Sequence, residues 1–311
     1  MSGAVGRRAA PSAVWPRLGI APGPVLRVFG LRRSGNHAVI NWLQRNAPGG
    51  RALFFNNCTP GRDPFETCRA VEIDGRRVAG AGVGDDPARL ARLGRRAGDG
   101  AALILSYEDI MPAARRQRPL SKGIDDSLID VEVIVARSFL NWAASLVRKL
   151  QANPDFSAHR RVAIVLRAVS VYAQMLGLMA RDGDGAPVVI RYDDWASSPA
   201  CRAAILARLG FAARDDSLGP VQSYGNGSSF ADPAARGEQL RVRERWQQMA
   251  DDPEYRIVLW LAAQDAALCE GLARSFPDDA ERLGRLADAA ADMMPPRDAQ
   301  GAATAQILRS N

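Results

Sequence analysis

Histidine, lysine and aromatic residues are scarce in this chain of 311 residues, and each scarcity limits the kinds of site it can hold. Only two histidines are present, His37 and His159. They leave little room for a His-rich metal site, and a Ser-His-Asp triad would have to use one of the two. Aromatic residues make up 6% of the chain, so much of the core must consist of Ala, Leu and Val.

The chain also lacks the cysteine spacing of a metal or redox site, since none of its four cysteines belongs to a CxxC pair. A chain of this length does not need disulfides to fold, so we expect unpaired thiols in a reducing compartment.

Long hydrophobic runs are missing as well. The most apolar stretch, Ala168 to Ala180, is short and contains Ser170 and Gln174, so we predict no transmembrane segment. The first 24 residues lack the apolar centre of a secretory signal and are predicted to be a flexible leader on a cytoplasmic protein.

Positive charge is abundant and is carried almost entirely by arginine. Of the 41 basic residues only Lys122 and Lys149 are lysines, and the formal net charge is +7. Hydrophobic residues at 47% and charged residues at 24% are ordinary for a globular protein. An arginine-rich surface suits an anionic partner such as a phosphate, a sulfate, an acidic polymer or a membrane surface.

Apolar runs alternate with helical patterns along the chain. The predicted strands are Val25–Gly30, Ala52–Phe55, Ala101–Ser106, Asp130–Ala136 and Pro187–Tyr192. Residues 60–100 are predicted to be loops with one short helix, and two helices are expected near residues 236–249 and 253–274. This alternation predicts a three-layer α/β fold, P-loop-like, with a mostly parallel sheet flanked by helices. The domain is expected over residues 25–275, with a helical or disordered tail over 276–311.

The first candidate site is a glycine-bounded loop, Gly30-Leu-Arg-Arg-Ser-Gly-Asn-His37, between a strand and a helix. Its glycines have the spacing of a P-loop, but Asn36 and His37 replace the usual Lys and Ser/Thr. Such a loop directs backbone N–H groups and the positive end of a helix dipole at an anion. Arg32 and Arg33 supply the charge that the missing Lys would give. Without the Ser/Thr that holds Mg²⁺, we expect an anion that needs no metal.

The second candidate site begins where a buried strand ends. Arg137 follows the run Val133-Ile-Val-Ala136, and Ser145 lies two turns into the next helix. Because carboxyl ends of parallel strands share one edge of a sheet, both residues can face the same edge as the first loop. The pair predicts a second anion site.

Together the two motifs resemble the sulfotransferase family that uses 3′-phosphoadenosine 5′-phosphosulfate (PAPS). In that family a P-[KR]-S-G-T-T loop binds the 5′-phosphosulfate, and Arg33-Ser34-Gly35-Asn36-His37 occupies that place here. A strand that ends in Arg, with Ser eight positions later, binds the 3′-phosphate, and Arg137 and Ser145 match it. Val189-Ile-Arg-Tyr-Asp-Asp-Trp195, which contains Tyr192, looks like the family's Y-x-D segment.

The resemblance covers roughly residues 25–250 and implies a set of site residues. The implied donor-binding residues are Arg32, Arg33, Ser34, Gly35, Asn36, His37, Arg137, Ser145 and Tyr192. Asn36 and His37 depart from the family's hydroxyl residues, and the family's basic C-terminal segment is only loosely matched by Arg241-Val-Arg-Glu-Arg-Trp246.

The implied activity is transfer of a sulfuryl group from PAPS, without a metal, to a hydroxyl or an amine. Arg33 would stabilise the leaving phosphate, and Glu108 would be the catalytic base, with Asp109 and His37 as alternatives. The acceptor stays open among a small molecule, a saccharide, a lipid and a peptide, and no nucleic-acid partner is expected. The rival functions are a small-molecule P-loop kinase and a non-catalytic relative that binds a nucleotide or an anionic polymer.

Overall fold

The described part of the chain is built on one sheet of seven strands. The computed structural model describes residues 14–111, 119–183, 185–219, 230 and 242–291. The strands are β1 (Val25–Gly30), β2 (Ala52–Asn56), β3 (Ala70–Ile73), β4 (Arg76–Gly80), β5 (Ala102–Glu108), β6 (Val131–Ala136) and β7 (Val188–Arg191). Their order across the sheet is β4-β3-β2-β5-β1-β6-β7. Strands β2, β5, β1, β6 and β7, which are neighbours in that order, are parallel to one another. Strands β3 and β4 add an antiparallel hairpin at one edge.

Eleven α-helices connect or cover these strands in the same described ranges. They are α1 (Val14–Leu18), α2 (Asn36–Asn46), α3 (Pro64–Thr67), α4 (Pro87–Ala97), α5 (Phe139–Gln151), α6 (Ala158–Met179), α7 (Tyr192–Ser197), α8 (Pro199–Arg208), α9 (Pro253–Ala262), α10 (Ala266–Ser275) and α11 (Pro277–Ala291). The expected α/β class with a mostly parallel sheet flanked by helices is therefore confirmed.

The sheet has an apolar core on each face, because its central strands alternate their side chains between two buried layers. On β1, Leu26 and Val28 pack with α2 and α8, whereas Val25 and Phe29 face the layer that contains α5 and α6. Every residue of β1 is buried. This double burial explains why the central strands read as continuous apolar runs in the sequence.

The strand order brings loops from several parts of the chain to one edge. From β1 the chain passes to β2 on one side, and it later reaches β6 on the other side. Strand β1 is thus where the direction of winding reverses, and ligands of open α/β sheets bind at the carboxyl ends beside such a point. Gly30, the last residue of β1, pairs with Glu108 of β5 and Val135 of β6.

The hairpin of β3 and β4 differs from the sequence prediction, which gave residues 60–100 only loops and one helix. The helix is α4, but Ala70–Ile73 and Arg76–Gly80 form strands around a turn with Asp74 and Gly75 in the left-handed region. Buried Glu72 interrupts the apolar pattern of β3, and it is accommodated because Gln44 Nε2 of α2 donates a hydrogen bond to its carboxylate, at 2.9 Å. This tertiary contact has no local sequence signal.

Both ends of the described fold carry helices outside residues 25–275, the range expected for the domain. Helix α1 lies inside the predicted leader, and its buried residues pack against α4. The predicted helix over residues 253–274 is divided into α9 and α10 at Asp265, whose side chain caps α10. Helix α11 extends the fold into the predicted tail. Of the helix expected at 236–249, residues 242–249 form turns and a short 3₁₀ helix, and residues 236–241 lie outside the described ranges.

Helix α6 meets the length and hydropathy expected of a membrane span, which the sequence prediction did not anticipate. It has 22 residues and a mean hydropathy of 1.7 over its most apolar window. Core helices of soluble proteins meet the same test. Helix α6 packs against α5, α9 and α10, and its exposed side carries Arg167, Ser170 and Gln174.

Helix α11 is attached to the rest of the fold by a buried carboxyl group. The Oγ atom of Ser138, just before α5, donates a hydrogen bond to Asp279 Oδ1 at 3.0 Å, and the backbone N–H groups of Phe139 and Leu140 also donate to Asp279. Burial outweighs these bonds and raises the pKa of Asp279 from 3.8 to about 6. The carboxyl group therefore changes its charge at mildly acidic pH.

We expect Asp279 to make the protein less stable as the pH rises. Because its pKa is higher in the folded than in the unfolded state, its stabilising contribution is complete below about pH 4 and is lost as the pH rises through about 6. Asp279→Asn should remove this dependence, which is worth roughly 3 kcal/mol at about 1.4 kcal/mol per pKa unit. Urea unfolding of both proteins from pH 4 to pH 7 measures it.

Asp278→Asn is the matched control, because its exposed side chain lies one residue away on the same helix. It should leave the pH dependence as in the wild type. A parallel pH dependence in the wild type and Asp279→Asn would contradict the role of this carboxyl group.

Candidate functional site

The loop between β1 and α2 is held in a tight, left-handed conformation. Ser34 N donates a hydrogen bond to Leu31 O at 3.1 Å, and Arg33 and Gly35 have φ values of 72° and 93°. A Cβ atom on Gly35 would lie 2.2 Å from the ring of Tyr192, so only glycine fits there. The N-cap residue of α2 is Gly35, which has no side chain to cap the helix.

Ser34 and Asn36 lie inside the loop with unsatisfied polar atoms. Ser34 is fully buried, and its Oγ atom has no hydrogen-bond partner among the described residues. Asn36 Nδ2 donates to Leu31 O at 3.1 Å, and the same side chain packs directly over Gly30. The Asn36 side chain therefore braces the loop from behind. The Ser34 hydroxyl group, in contrast, has no hydrogen-bond partner among the described residues.

Arg32 is directed away from the loop interior. Its guanidinium forms an ion pair with Asp109 at 2.5 Å, and its backbone N–H donates to the same carboxylate at 2.9 Å. Its backbone carbonyl accepts a hydrogen bond from Trp142 Nε1 at 2.9 Å. Half of the Arg32 side chain is exposed. Arg32 is thus paired with Asp109 at the exposed rim of the loop, whereas Arg33 is only partly exposed.

Arg137 is a buried cation at the centre of the site. Its Nη1 atom lies 3.4 Å from Arg33 O and 3.3 Å from Ser145 Oγ, and its Nη2 atom donates to Val242 O at 2.7 Å. The nearest carboxylate, Asp193, is 3.9 Å from Arg137 Nε, too far for a hydrogen bond. Burial lowers the pKa of Arg137, and Asp193 opposes that effect.

A second arginine, Arg245, shares Ser145 with Arg137. Arg245 Nη1 donates to Ser145 Oγ at 3.1 Å, and Ser145 donates its own proton to Asn141 O at 2.7 Å. The Asn141 side chain in turn accepts a hydrogen bond from the backbone N–H of Arg245 at 2.9 Å. Burial and then the nearby Arg137 lower the pKa of Arg245 to about 9. The site therefore concentrates positive charge.

Arg245 is the site residue that sequence reasoning missed. It lies in the segment Arg241–Trp246, whose likeness to the family's basic C-terminal segment was only loose. The available signal was a cluster of arginines before a tryptophan. Identifying which arginine reaches the site requires the tertiary contacts of Ser145 and Asn141, because this segment has no regular secondary structure from 242 to 246.

Tyr192 closes the site on the side of β7. It is buried, its ring lies against Gly35, and the guanidinium carbon of Arg137 is 5.2 Å from the ring centroid. The face of a tyrosine ring attracts a guanidinium cation. Tyr192 thus stabilises both the left-handed loop and the buried Arg137, as expected for a residue at the end of a neighbouring parallel strand.

Glu108 lies at the carboxyl end of β5 beside the same loop. Asn57 Nδ2 donates a hydrogen bond to Glu108 Oε2 at 3.1 Å. Burial and the neighbouring Asp109 raise the pKa of Glu108, while a hydrogen bond from Asn36 and the charges of Arg69 and Arg32 oppose the rise. A carboxylate with a raised pKa is a better proton acceptor than an exposed one.

His37, the other residue considered as a base, is on the first turn of α2. Burial lowers its pKa from 6.5, Glu72 opposes that change and Arg33 adds to it. The imidazole is therefore neutral at pH 7. Among the described residues, no group of three or more His, Cys, Asp and Glu side chains is arranged to hold a metal ion.

The sheet edge thus brings together most of the residues singled out from the sequence. Arg137 contacts Ser145, Tyr192 and the loop at Arg33 O, and the Tyr192 ring lies against Gly35. Glu108 and Asn36 adjoin the opposite side of the loop. No family model matches the chain, and a comparison with curated proteins finds no match either.

We expect Gly35→Ala to destabilise the protein more than the same substitution at a left-handed glycine that has open space around it. Alanine in a left-handed conformation costs about 1–2 kcal/mol, and at Gly35 the methyl group would also overlap the Tyr192 ring. The control is Gly49→Ala, because Gly49 has φ 65° and no atom within 4 Å of the added methyl group. Chemical denaturation of both variants measures the difference.

Combining Gly35→Ala with Tyr192→Ala separates the steric overlap from the backbone strain. The double variant should recover part of the loss caused by Gly35→Ala, giving a non-additive cycle. Strictly additive losses would show that the ring does not constrain Gly35.

Proposed function

We propose that this protein is a PAPS-dependent sulfotransferase of the P-loop type. It would transfer a sulfuryl group from PAPS to a hydroxyl or amine acceptor, with 3′,5′-ADP as the second product. The proposal extends the sequence resemblance with the geometry of the site.

The observation that carries the proposal is the buried pair of Arg137 and Arg245 on either side of Ser145. Burial and the charge of Arg137 lower the pKa of Arg245, and an anion bound between the two guanidinium groups would offset this cost of burial. A phosphate dianion would accept charge-assisted bonds from both, and the Ser145 hydroxyl would add one by turning its single proton from Asn141 O to the phosphate. The 3′-phosphate is the group that distinguishes PAPS from ADP and ATP.

The loop before α2 supports the second half of the proposal. Its left-handed residues and the uncapped start of α2 suit a phosphosulfate bound by backbone N–H groups. The buried Ser34 hydroxyl and the Arg33 guanidinium would add to these donors. Because the Asn36 side chain braces the loop, Asn36 would bind the donor PAPS only through its backbone N–H.

Glu108 supplies the proton acceptor in the proposed reaction. As the acceptor oxygen or nitrogen forms a bond to sulfur, the bond between sulfur and the phosphate oxygen breaks. Glu108 takes the acceptor's proton, and the negative charge that develops on the leaving phosphate is stabilised by Arg33 and the loop amides. Asp109 is less suited to this role because its carboxylate is already paired with Arg32.

Nucleotide binding provides the test of the proposed 3′-phosphate site. The wild type should bind 3′,5′-ADP more tightly than 5′-AMP by one to two orders of magnitude, since charge-assisted hydrogen bonds contribute about 1.5–3 kcal/mol each. Arg137→Lys should reduce this ratio about tenfold because lysine lacks the forked donors. Calorimetric titration of both nucleotides measures the ratio.

Arg202→Lys is the matched control, because Arg202 is also a buried arginine that bonds a backbone carbonyl, that of Trp195. It should leave the ratio unchanged. Lysine is preferred to alanine at residue 137, because alanine would leave the carbonyl groups of Arg33 and Val242 without a donor. An unchanged ratio in folded Arg137→Lys would sink the assignment.

Donor binding should not require a divalent metal, because His37 replaces the Ser/Thr that holds Mg²⁺ in P-loop hydrolases, and Asn36 replaces the Lys. A thermal-shift comparison should show stabilisation by 3′,5′-ADP that EDTA leaves intact. Stabilisation by Mg-ATP alone would favour a kinase instead.

A further inference from the structure

Asn57 contacts Glu108, the proposed base. It directly follows strand β2, which contributes no other residue to the proposed reaction. Its backbone adopts the left-handed region with φ 48°. Its N–H donates to the Ser106 hydroxyl at 2.8 Å, and the same hydroxyl lies 3.4 Å from Asn56 Oδ1. Ser106 and Asn56 are both buried. The polar network therefore fixes the backbone of Asn57 independently of its own side chain.

The fixed backbone directs the Asn57 amide at one oxygen of Glu108. The distance from Asn57 Nδ2 to Glu108 Oε2 is 3.1 Å. The Asn36 side chain donates to the same carboxyl group from the start of α2. Two side-chain amides, one directly after β2 and one at the start of α2, thus bind the carboxylate of Glu108, the last residue of β5.

The chemical nature of these two partners is informative. An arginine would orient a carboxylate strongly, but its full charge would also make the carboxylate a weaker base. Neutral amides fix the orientation with a much smaller loss of basicity. The adjacent Asp109 shows the contrast, because it is bound by the guanidinium and the backbone N–H of Arg32.

We propose that Asn57 is a positioning residue, whose side-chain amide holds the Glu108 carboxylate in the orientation that receives the acceptor's proton. This inference rests on the proposed function, since it assumes that Glu108 is the base. Asn57 would act through Glu108 and would make no contact with the nucleotide.

The variant that tests this is Asn57→Gly. Glycine accepts the left-handed backbone and keeps the N–H that bonds Ser106, so the amide alone is removed. A ¹³C NMR titration of the Glu108 carboxyl carbon, identified by its loss in Glu108→Gln, needs no substrate. The Glu108 transition should move to higher pH in Asn57→Gly, and further in Asn57→Asp, where a second negative charge is added.

Hydrolysis of PAPS to 3′,5′-ADP and sulfate provides the kinetic readout, with water as the acceptor. Asn57→Gly should lower this rate about tenfold at pH 6, the effect of about 1.4 kcal/mol, with partial recovery at pH 8. Its affinity for 3′,5′-ADP should stay within about twofold of the wild type. A merely structural role would lower stability without moving the pH profile.

The outcomes separate this inference from the proposed function. An unchanged Glu108 titration in folded Asn57→Gly would overturn the positioning role, whatever the protein binds. Failure of the wild type to bind 3′,5′-ADP would overturn the proposed function, while the titration would still measure the contact between Asn57 and Glu108.

Discussion

The buried guanidinium of Arg137 connects four parts of the chain that are far apart in sequence. It bonds the loop after β1 through Arg33 O, helix α5 through Ser145, and the segment before α9 through Val242 O, and it faces Asp193 of α7. Burying a cation is unfavourable unless most of its donors find acceptors. Among the described residues its hydrogen-bond acceptors are two backbone carbonyls and the Ser145 hydroxyl, and the Asp193 carboxylate lies 3.9 Å away. The geometry of the site depends on satisfying this one side chain.

Two kinds of carboxyl group adjoin the site and behave differently. Asp193 and Asp279 are buried against the start of α5, where Asp193 accepts the Ser138 N–H at 2.7 Å and Asp279 accepts the Ser138 hydroxyl. Burial is the largest influence on both and raises the pKa of each. Glu108 is held by amides at the opposite side of the loop. Asp193 and Asp279, which bind the start of α5, are thus separated from Glu108, whose carboxylate lies at the edge of the sheet.

The parts of the structure that follow local rules could be predicted from the sequence. Strands β1, β5 and β6 are buried on both faces and read as apolar runs, and the glycine loop, Arg137 and Ser145 follow from their positions after strands. The β3–β4 hairpin could not be predicted, because Glu72 is compatible with a buried strand only through its contact with Gln44. The contacts of Arg245 are similarly long-range, whereas the Asn36 side chain braces the loop through local contacts with Leu31 and Gly30 that require the left-handed turn. Contacts of this kind leave no periodic trace in the sequence.

The spread of the site along the chain has a consequence for synthesis on the ribosome. The loop at Gly30 emerges early, but Arg245 and the α11 residue Asp279, which meets the start of α5, emerge more than two hundred residues later. Chains are synthesised from the N-terminus at about 5–20 residues per second, so an incomplete chain would present the glycine loop for many seconds without its arginine cluster. The nascent protein would therefore be unable to bind an anionic ligand tightly until nearly all of the described fold had been made.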